Sequence, residues 1–505
     1  MVNENLYKHF EKNFSKYPER EFLRSDHGSL RFDDIDEVTG LYITLFSKIG
    51  ISKGDRIVVQ VEKSIDSVIL YLACIRYGAI YIPLNTAYTE EEIRYFLSDS
   101  MPELFVCDPF NEESMTQLAN ELQINNIMSM NRKKEGTLFE EISELQSSNF
   151  VEECNGDDLA AILYTSGTTG RSKGAMITHN NLLSNAKVLL NYWGWEENDV
   201  LLHALPIFHV HGLFVALNCA LLNSSKVIFL DYFETKRVIL ELPNATVMMG
   251  VPTFYVRLLA DQGFNKEVCH KMRLFISGSA PLLSDTFNSF EKRTGMRILE
   301  RYGMSETSMI TSNPYFGDRI AGTVGFFLPS IQGRIVNEEG AKVSIGEVGI
   351  LETKGPNVFK GYWKMPEKTH SEFTNDGFFI TGDLASVDAE GRVTIVGREK
   401  DLIISGGYNV YPKEVEILLD TIDFVQESCV IGLPHTDFGE AVTAIIVLKD
   451  TNVIIEDDIK YLLDKKLAKF KHPKKIIYLE EIPRNTMGKV QKNMLRDKYR
   501  TLYLN

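Results

Sequence analysis

The chain has 505 residues, more than one hydrophobic core usually serves, so at least two domains are expected. Apolar residues make up 44% of it and charged residues 24%, with no run long and uncharged enough to span a bilayer, which is the profile of a soluble globular protein and argues against membrane insertion. A formal net charge of −15 argues against general nucleic-acid binding, since phosphate backbones demand basic faces, but leaves room for a local basic pocket.

In chain order, the opening MVNENLYKHFEKNF carries Glu4 and Glu11 and has neither an apolar secretory core nor an arginine-rich transit character, so a cytoplasmic location is expected. Cys74, Cys107, Cys154, Cys219, Cys269 and Cys429 are scattered without a C-x-x-C pair, which suggests reduced thiols rather than a zinc site or a disulfide framework. From Asp55 the pattern alternates: RIVVQV as strand, SVILYLACIRY as helix, AIYIPL as strand, TEEEIRYFLSD as helix, ELFVCD as strand. The same rhythm returns in VIFL, TKRVILEL, TVMMGV, TFYVRLLA and RLFISG, which predicts an α/β core of parallel strands with helical crossovers.

Between those two runs lies YTSGTTGRSKG, Tyr164 to Gly174. Its glycines let backbone N–H groups turn inward as an anion nest, and its hydroxyls and Lys173 add donors, so the natural guest is a phosphate. AAILY before it reads as a buried strand and THNNLLSNAKVLLNYW after it as an amphipathic helix, so the loop is expected to join a strand to a helix. Ser172 precedes Lys173 where the ordinary nucleotide loop has Lys followed by Ser or Thr, which disfavours a kinase or motor ATPase.

From about Ser330 to Val396 the pattern changes to short strands separated by turns such as NEEGA, TNDGF and DAEGR, a β-rich subdomain. After GREKD, two helical patterns interleave with SCVIGLP and AVTAIIVLKD as a small α+β module. The expected domains are 1–397 and 398–505. The basic run from Lys465 to Lys475 reads first as a solvated face and second as a site for an anionic ligand. No feature of the sequence specifies an oligomeric state.

Five further segments stand in order with the glycine-rich loop: HALPIFHVHG (203–212), RYGMSET (301–307), TGD (381–383), GREKD (397–401) and PRNTMGKVQK (483–492). Together they resemble the motif series of the adenylate-forming superfamily of acyl- and aryl-CoA synthetases, luciferases and peptide-synthetase adenylation domains, over nearly the whole chain. VPTFYVRLL, FISGSAPL, GPNVFKGYWKMPEKT and GGYNVYPKE narrow the resemblance to its malonyl-CoA synthetase branch. That resemblance implies a large N-terminal domain of parallel α/β sheets with a β-rich subdomain and a small mobile C-terminal domain. It also implies small-molecule substrates: ATP with Mg²⁺, CoA, and malonate or methylmalonate. An acyl-AMP forms with release of pyrophosphate, and the CoA thiol then displaces AMP.

The resemblance assigns roles residue by residue. Thr165, Ser166, Gly167, Thr168, Thr169 and Lys173 surround the triphosphate, where donors and cations stabilise phosphoryl oxygens. Tyr302 and Gly303 face the adenine, Ser305 the α-phosphate, and Glu306 supplies Mg²⁺ with the hard oxygen it prefers. Asp383, expected at a strand end, accepts ribose hydroxyls and Arg398 adds a second contact; a structural salt bridge is the alternative for both. Lys489 neutralises charge as the carboxylate meets phosphorus. His209 belongs with Lys489 and Glu306 in the catalytic set.

Malonate keeps a second carboxylate, and its burial demands a cation. Arg257 is the expected guanidinium, placed inward because FYVRLL is apolar on both sides, with His209, His211, Ser279 and Met309 lining the pocket. For either histidine a satisfied core position is an equal alternative. Lys400 is the implied hinge, and Gly406 and Gly407 the lining of a pantetheine tunnel. Val210 stands between the histidines where a threonine is common, and Ser305 replaces a frequent threonine, so the choice between malonate and methylmalonate stays open. Other readings are a ligase for another short or branched carboxylate, and a non-catalytic nucleotide sensor.

Overall fold

The computed structural model describes residues 3–165, 172–406, 408–435, 437–449, 456–485 and 488–503. The chain divides into two compact units: Met1–Gln332 with Lys354–Phe379, and Gly333–Thr353 with Ile380–Asn505. Contacts thus group Gly333–Thr353 and the part of the β-rich stretch after Phe379 with the C-terminal part of the chain, and leave Lys354–Phe379 with the first unit.

In the first unit the described residues form two large sheets. One has seven strands, in the order Gly361–Tyr362, Lys173–Thr178, Leu159–Thr165, Ile80–Pro83, Arg56–Gln60, Leu104–Cys107 and Asn126–Ser129. The other has nine, running from Phe326–Phe327 and Ser308–Ser312 through Leu299–Met304, Leu274–Ser277, Val247–Gly250, Val200–His203, Lys226–Phe229 and Glu21–Ser25 to Gly28–Arg31. Their central strands pair in parallel, as the alternation of strand and helix predicts.

Helix Ile65–Tyr77 shows how sequence makes this layer. Ser64 caps it, accepting from the Ser67 N–H while Ser67 Oγ accepts from the Ser64 N–H, and Gly78 ends it at φ 74°. Its residues from Asp66 to Arg76 are buried on every face, the mark of a helix enclosed by protein rather than lying on a surface. Arg76, unable to reach water, donates to the carbonyls of Asp36, Ser148 and Phe150 and to Thr39 Oγ1.

The second unit holds a four-stranded sheet, Gln332–Val336, Gly349–Lys354, Phe379–Val387 and Val393–Arg398. It also holds a five-stranded sheet built on the long antiparallel pair Val425–His435 and Gly439–Leu448. Against that pair pack helices Pro412–Leu419, Glu456–Lys466 and Lys492–Tyr499, around a core that includes Val415, Leu419, Val430, Ile446 and Ile459 in one cluster and Cys429, Ile431, Ile445 and Leu495 in another. All six cysteines are free and buried.

Candidate functional site

The glycine-rich loop corrects one expectation. Ser166, Gly167, Thr168 and Thr169 lie outside the described residues, but the loop's flanks are clear: Leu159–Thr165 and Lys173–Thr178 pair antiparallel, with Thr165 opposite Lys173. The strands on either side of the loop therefore pair as a hairpin, and the chain after it enters a strand before any helix. The helix starts only at His179, where Thr178 caps it by accepting from the Asn181 N–H at 3.1 Å. KGAMIT has every residue buried except Met176, as a central strand requires, so chain that reads as lead-in to the helix extends the sheet. The hairpin is held from outside by Tyr164 Oη donating to Asp99 Oδ2 (2.6 Å) and Tyr95 Oη donating to the Ser172 carbonyl (2.6 Å).

Glu306 occupies the turn of the hairpin formed by Leu299–Met304 and Ser308–Ser312. Gly303 is obligatory there, because a Cβ would lie 1.9 Å from the Ser308 carbonyl oxygen. Tyr302 and Ser305 are half-buried on either side of it, and Glu306 itself is 6% exposed. Its Oε1 lies 3.3 Å from Thr165 Oγ1 and 3.2 Å from Tyr362 Oη. The same phenol also lies 2.7 Å from Glu372 Oε2.

One phenolic proton cannot serve two carboxylates at once, so this pair of acids retains acceptor capacity for a cation. Glu372 in turn meets Lys173 Nζ at 3.2 Å and Lys368 Nζ at 2.6 Å. Burial pushes its carboxyl up, but hydrogen bonds from Lys368 and Tyr362 and the charge of Lys173 outweigh that and hold it below the usual range. Lys173 also lies 4.4 Å from the centre of the Tyr362 ring. The structure thus joins Thr165, Lys173 and Glu306, and adds Tyr362 and Glu372, to which the sequence reading gave no role. Nothing local marks those two; they meet their partners across 56 and 199 residues of chain.

A second cluster surrounds His211, which is fully buried in the π-helix His211–Leu217. Its Nδ1 lies 3.3 Å from Ser279 Oγ, and its backbone N–H donates to His209 Nδ1 at 3.4 Å. Ser279 sits at φ 72°, a conformation that non-glycine residues rarely hold without cause. Next to it Arg301 is 3% exposed, and its Nε and Nη2 have no partner among the described residues. A Cβ on Gly278 would come within 2.3 Å of Arg301 Cζ, so only glycine lets the guanidinium lie against the chain there.

Burial pushes Arg301 down to about 9. Burial, and then the charge of Arg301, hold His211 well below the usual histidine range, so its imidazole is neutral. Arg301 belongs to the quoted motif RYGMSET, yet no role was read for it. Met309 is fully buried, its carbonyl accepting from Asn185 Nδ2 at 2.9 Å and Asn357 Nδ2 at 3.3 Å.

Arg257 differs from expectation. On helix Pro252–Ala260 the buried residues are Tyr255 and Leu258, three apart, and Arg257 is exposed. Residues adjacent in sequence are 100° apart around a helix, so apolar neighbours in FYVRLL do not place the arginine inward.

In the second unit Asp383 is 3% exposed and lies inside strand Phe379–Val387, not at a strand end, because hydrogen bonding to Val393–Arg398 continues four residues beyond it. Its Oδ1 takes Arg398 Nε at 2.9 Å, the salt bridge that stood as the alternative for both residues. Lys400 is exposed in a short 3₁₀ turn, where partial desolvation and then the charge of Arg398 lower its pKa. Lys489 sits in a tight turn: its N–H donates to Asn485 Oδ1 and its carbonyl accepts from the Asn485 N–H, both at 2.9 Å. Gly406 adopts φ 59°, and Gly407 lies outside the described residues. In the basic run, Lys469 pairs with Asp464 and Lys471 with Glu414 (2.6 Å). Among the described residues no helix is long and apolar enough to cross a membrane, and no group of three or more His, Cys, Asp or Glu could hold a metal.

Comparison with known proteins gives these sites a context. Residues 10–363 match the AMP-binding enzyme family, and residues 414–489 match the AMP-binding enzyme C-terminal domain. The chain is 36% identical to the mitochondrial malonate-CoA ligase of Mus musculus, over 89% of this chain and 82% of that protein. It is equally 36% identical to the malonate-CoA ligase of Arabidopsis thaliana, over 88% and 78%. The crystal structure of ATP-bound MatB from Rhodopseudomonas palustris superposes with a TM-score of 0.97 at 47% identity, covering 99% of this chain and 100% of that one. The chain belongs to the AMP-binding enzyme family, within the adenylate-forming ligases.

Proposed function

We propose that this protein is an AMP-forming ligase that joins malonate to CoA at the expense of ATP. The observation that carries the choice of acid is Arg301, a buried guanidinium whose Nε and Nη2 have no partner among the described residues, beside His211 and Ser279. A buried cation without a counter-ion is costly, and a diacid offers the cheapest remedy, a carboxylate that stays free while the other end reacts. The names of the relatives, malonate-CoA ligases and MatB, agree with that reading.

In the first half-reaction a malonate oxygen attacks the α-phosphorus of ATP and the bond to pyrophosphate breaks. In the second, the CoA sulfur attacks the acyl carbonyl and AMP leaves. Lys173, Thr165 and the loop residues Ser166, Gly167, Thr168 and Thr169 take the phosphates, with Lys173 exchanging Glu372 for phosphate oxygens. Tyr302, Gly303 and Ser305 hold adenine and α-phosphate, and Asp383 with Arg398 the ribose. Glu306 fits Mg²⁺, because a buried carboxylate flanked by two hydroxyls is a hard oxygen site, and the ion would neutralise phosphate charge when bound.

Lys489 brings positive charge to the adenylation step. His209, His211, Ser279 and Met309 line the acid pocket, and Arg257, exposed, draws the dicarboxylate in. The functional division falls at 397/398, with Lys400 as the hinge and Gly406 and Gly407 along the path of the CoA arm. Pyrophosphate release with ATP and Mg²⁺ tests the whole: malonate should support it, methylmalonate and succinate less, and acetate scarcely. Equal rates with acetate and malonate would refute the reading.

A further inference from the structure

Lys63 lies just before the capped helix Ile65–Tyr77 and is buried, and its hydrogen bonds among the described residues go to His203 and Leu230. Its Nζ meets three acceptors: His203 Nδ1 at 2.9 Å, the His203 carbonyl at 3.0 Å and the Leu230 carbonyl at 2.5 Å. Those acceptors sit at the carboxyl ends of Val200–His203 and Lys226–Phe229, in the nine-stranded sheet, whereas Lys63 follows Arg56–Gln60 of the seven-stranded one. One ammonium therefore ties the ends of strands from both sheets, with each of its three protons used.

The tie fixes His203. Its Nε2 lies 2.9 Å from the Gly212 carbonyl, which can only accept, so Nε2 carries the proton and Nδ1 is left to accept from Lys63. Gly212 is wedged as well, since a Cβ there would lie 2.0 Å from the Pro206 carbonyl oxygen. The held carbonyl belongs to the first turn of the π-helix that begins at His211, whose ring meets Ser279 beside Arg301. Fixing that turn fixes the direction in which His211 enters the pocket.

We infer that Lys63, acting through His203 and the Gly212 carbonyl, is a positioning residue that sets His211 for the acid substrate. The inference rests on the acid pocket assigned above. Lys63→Met removes the three donors while keeping an unbranched apolar stem. It should raise KM for malonate about tenfold, the scale of one to two lost hydrogen bonds, with KM for ATP changed less than about twofold. His203→Gln, whose amide can accept from Lys63 and donate to Gly212, should stay close to the parent, and His203→Leu should match Lys63→Met. The double variant Lys63→Met/His203→Leu should cost no more than either single change, because one chain of contacts is broken once.

The inference is overturned if malonate and ATP constants shift together, if His203→Gln is as impaired as His203→Leu, or if the double variant is additive. Should Lys63→Met fail to fold, Lys63→Gln, which retains an amide donor, and the two His203 variants carry the same comparison. Parent enzyme inert toward malonate would instead refute the acid pocket, whereas parent enzyme active with malonate and unmoved by these variants refutes the positioning role alone.

Discussion

Replacing Arg301 with methionine separates function from stability in a way few substitutions do. The guanidinium is 3% exposed, and Nε and Nη2 have no partner among the described residues, so the desolvation cost of those two nitrogens is uncompensated there. Removing it should leave the melting temperature unchanged or raised, since exchanging buried charge for apolar volume is neutral or stabilising by about 1–4 kcal/mol. Activity should move the other way. Two charge-assisted hydrogen bonds to a carboxylate, each worth about 1.5–3 kcal/mol, amount to roughly two to four decades of kcat/KM for malonate.

The assay is initial-rate pyrophosphate release over malonate, methylmalonate and acetate, with melting curves on the same preparations. Acetate, which never meets Arg301 in this scheme, should be affected less than about threefold. Arg257→Ala is the comparator. An exposed arginine acts across solvent, so its loss should cost malonate only about one decade and leave acetate untouched. A fall of Arg301→Met on both acids alike, or a clear loss of melting temperature, would show that Arg301 is a structural cation and not the second-carboxylate site.

Tyr362→Phe keeps the ring beside Lys173 but removes the phenolic proton that lies between Glu306 and Glu372; kcat/KM for ATP should fall about tenfold, and an unchanged value would detach Tyr362 from the phosphate site. Lys489→Ala should lower adenylation by more than about a hundredfold while CoA still consumes supplied malonyl-AMP, and equal loss of both half-reactions would contradict its role. His179 is buried with Nδ1 accepting from the Leu6 N–H at 3.1 Å, and burial lowers it to about 4 from an ordinary 6.5. Its neutral form is favoured in the fold, so its contribution is complete above 6.5 and lost as pH falls from 6.5 through 4, by about 3 kcal/mol in all. His179→Gln should flatten that part of the urea-stability profile, and a slope identical to the parent would assign the acid sensitivity elsewhere.

What could be read from the sequence follows from the range of the forces involved. Ile65–Tyr77 and its neighbouring strands announce themselves because period and capping are local, and Ser64 with Ser67 lies within one helical turn. Lys173–Thr178 was legible as apolar chain but not as a strand reversing on Leu159–Thr165, since pairing direction is decided by partners and not by composition. Arg257 was misplaced by treating sequence neighbours as spatial ones. Tyr362, Glu372 and Arg301 escaped for a different reason: each owes its role to a contact made between elements far apart in the chain, and nothing within a turn of them betrays it.

On the proposed reading the first unit has two anion sites, prepared in opposite ways, and this determines what each can discriminate. Lys173 already has Glu372 as partner, so phosphate must displace an ion pair, and net affinity comes from the many other donors of a polyanion site. Among the described residues Arg301 has no such stand-in at Nε or Nη2. A diacid would relieve the guanidinium's desolvation cost with its second carboxylate, while a monoacid of similar size would leave that cost in place. Sites whose buried polar groups depend on the substrate reject analogues lacking the matching group by about 10⁴–10⁵, against about 10–200 for a missing methylene in an apolar pocket. On the proposed reading, selectivity for dicarboxylates arises from the Arg301 guanidinium beside Gly278, Ser279 and His211, whose Nε and Nη2 have no partner among the described residues.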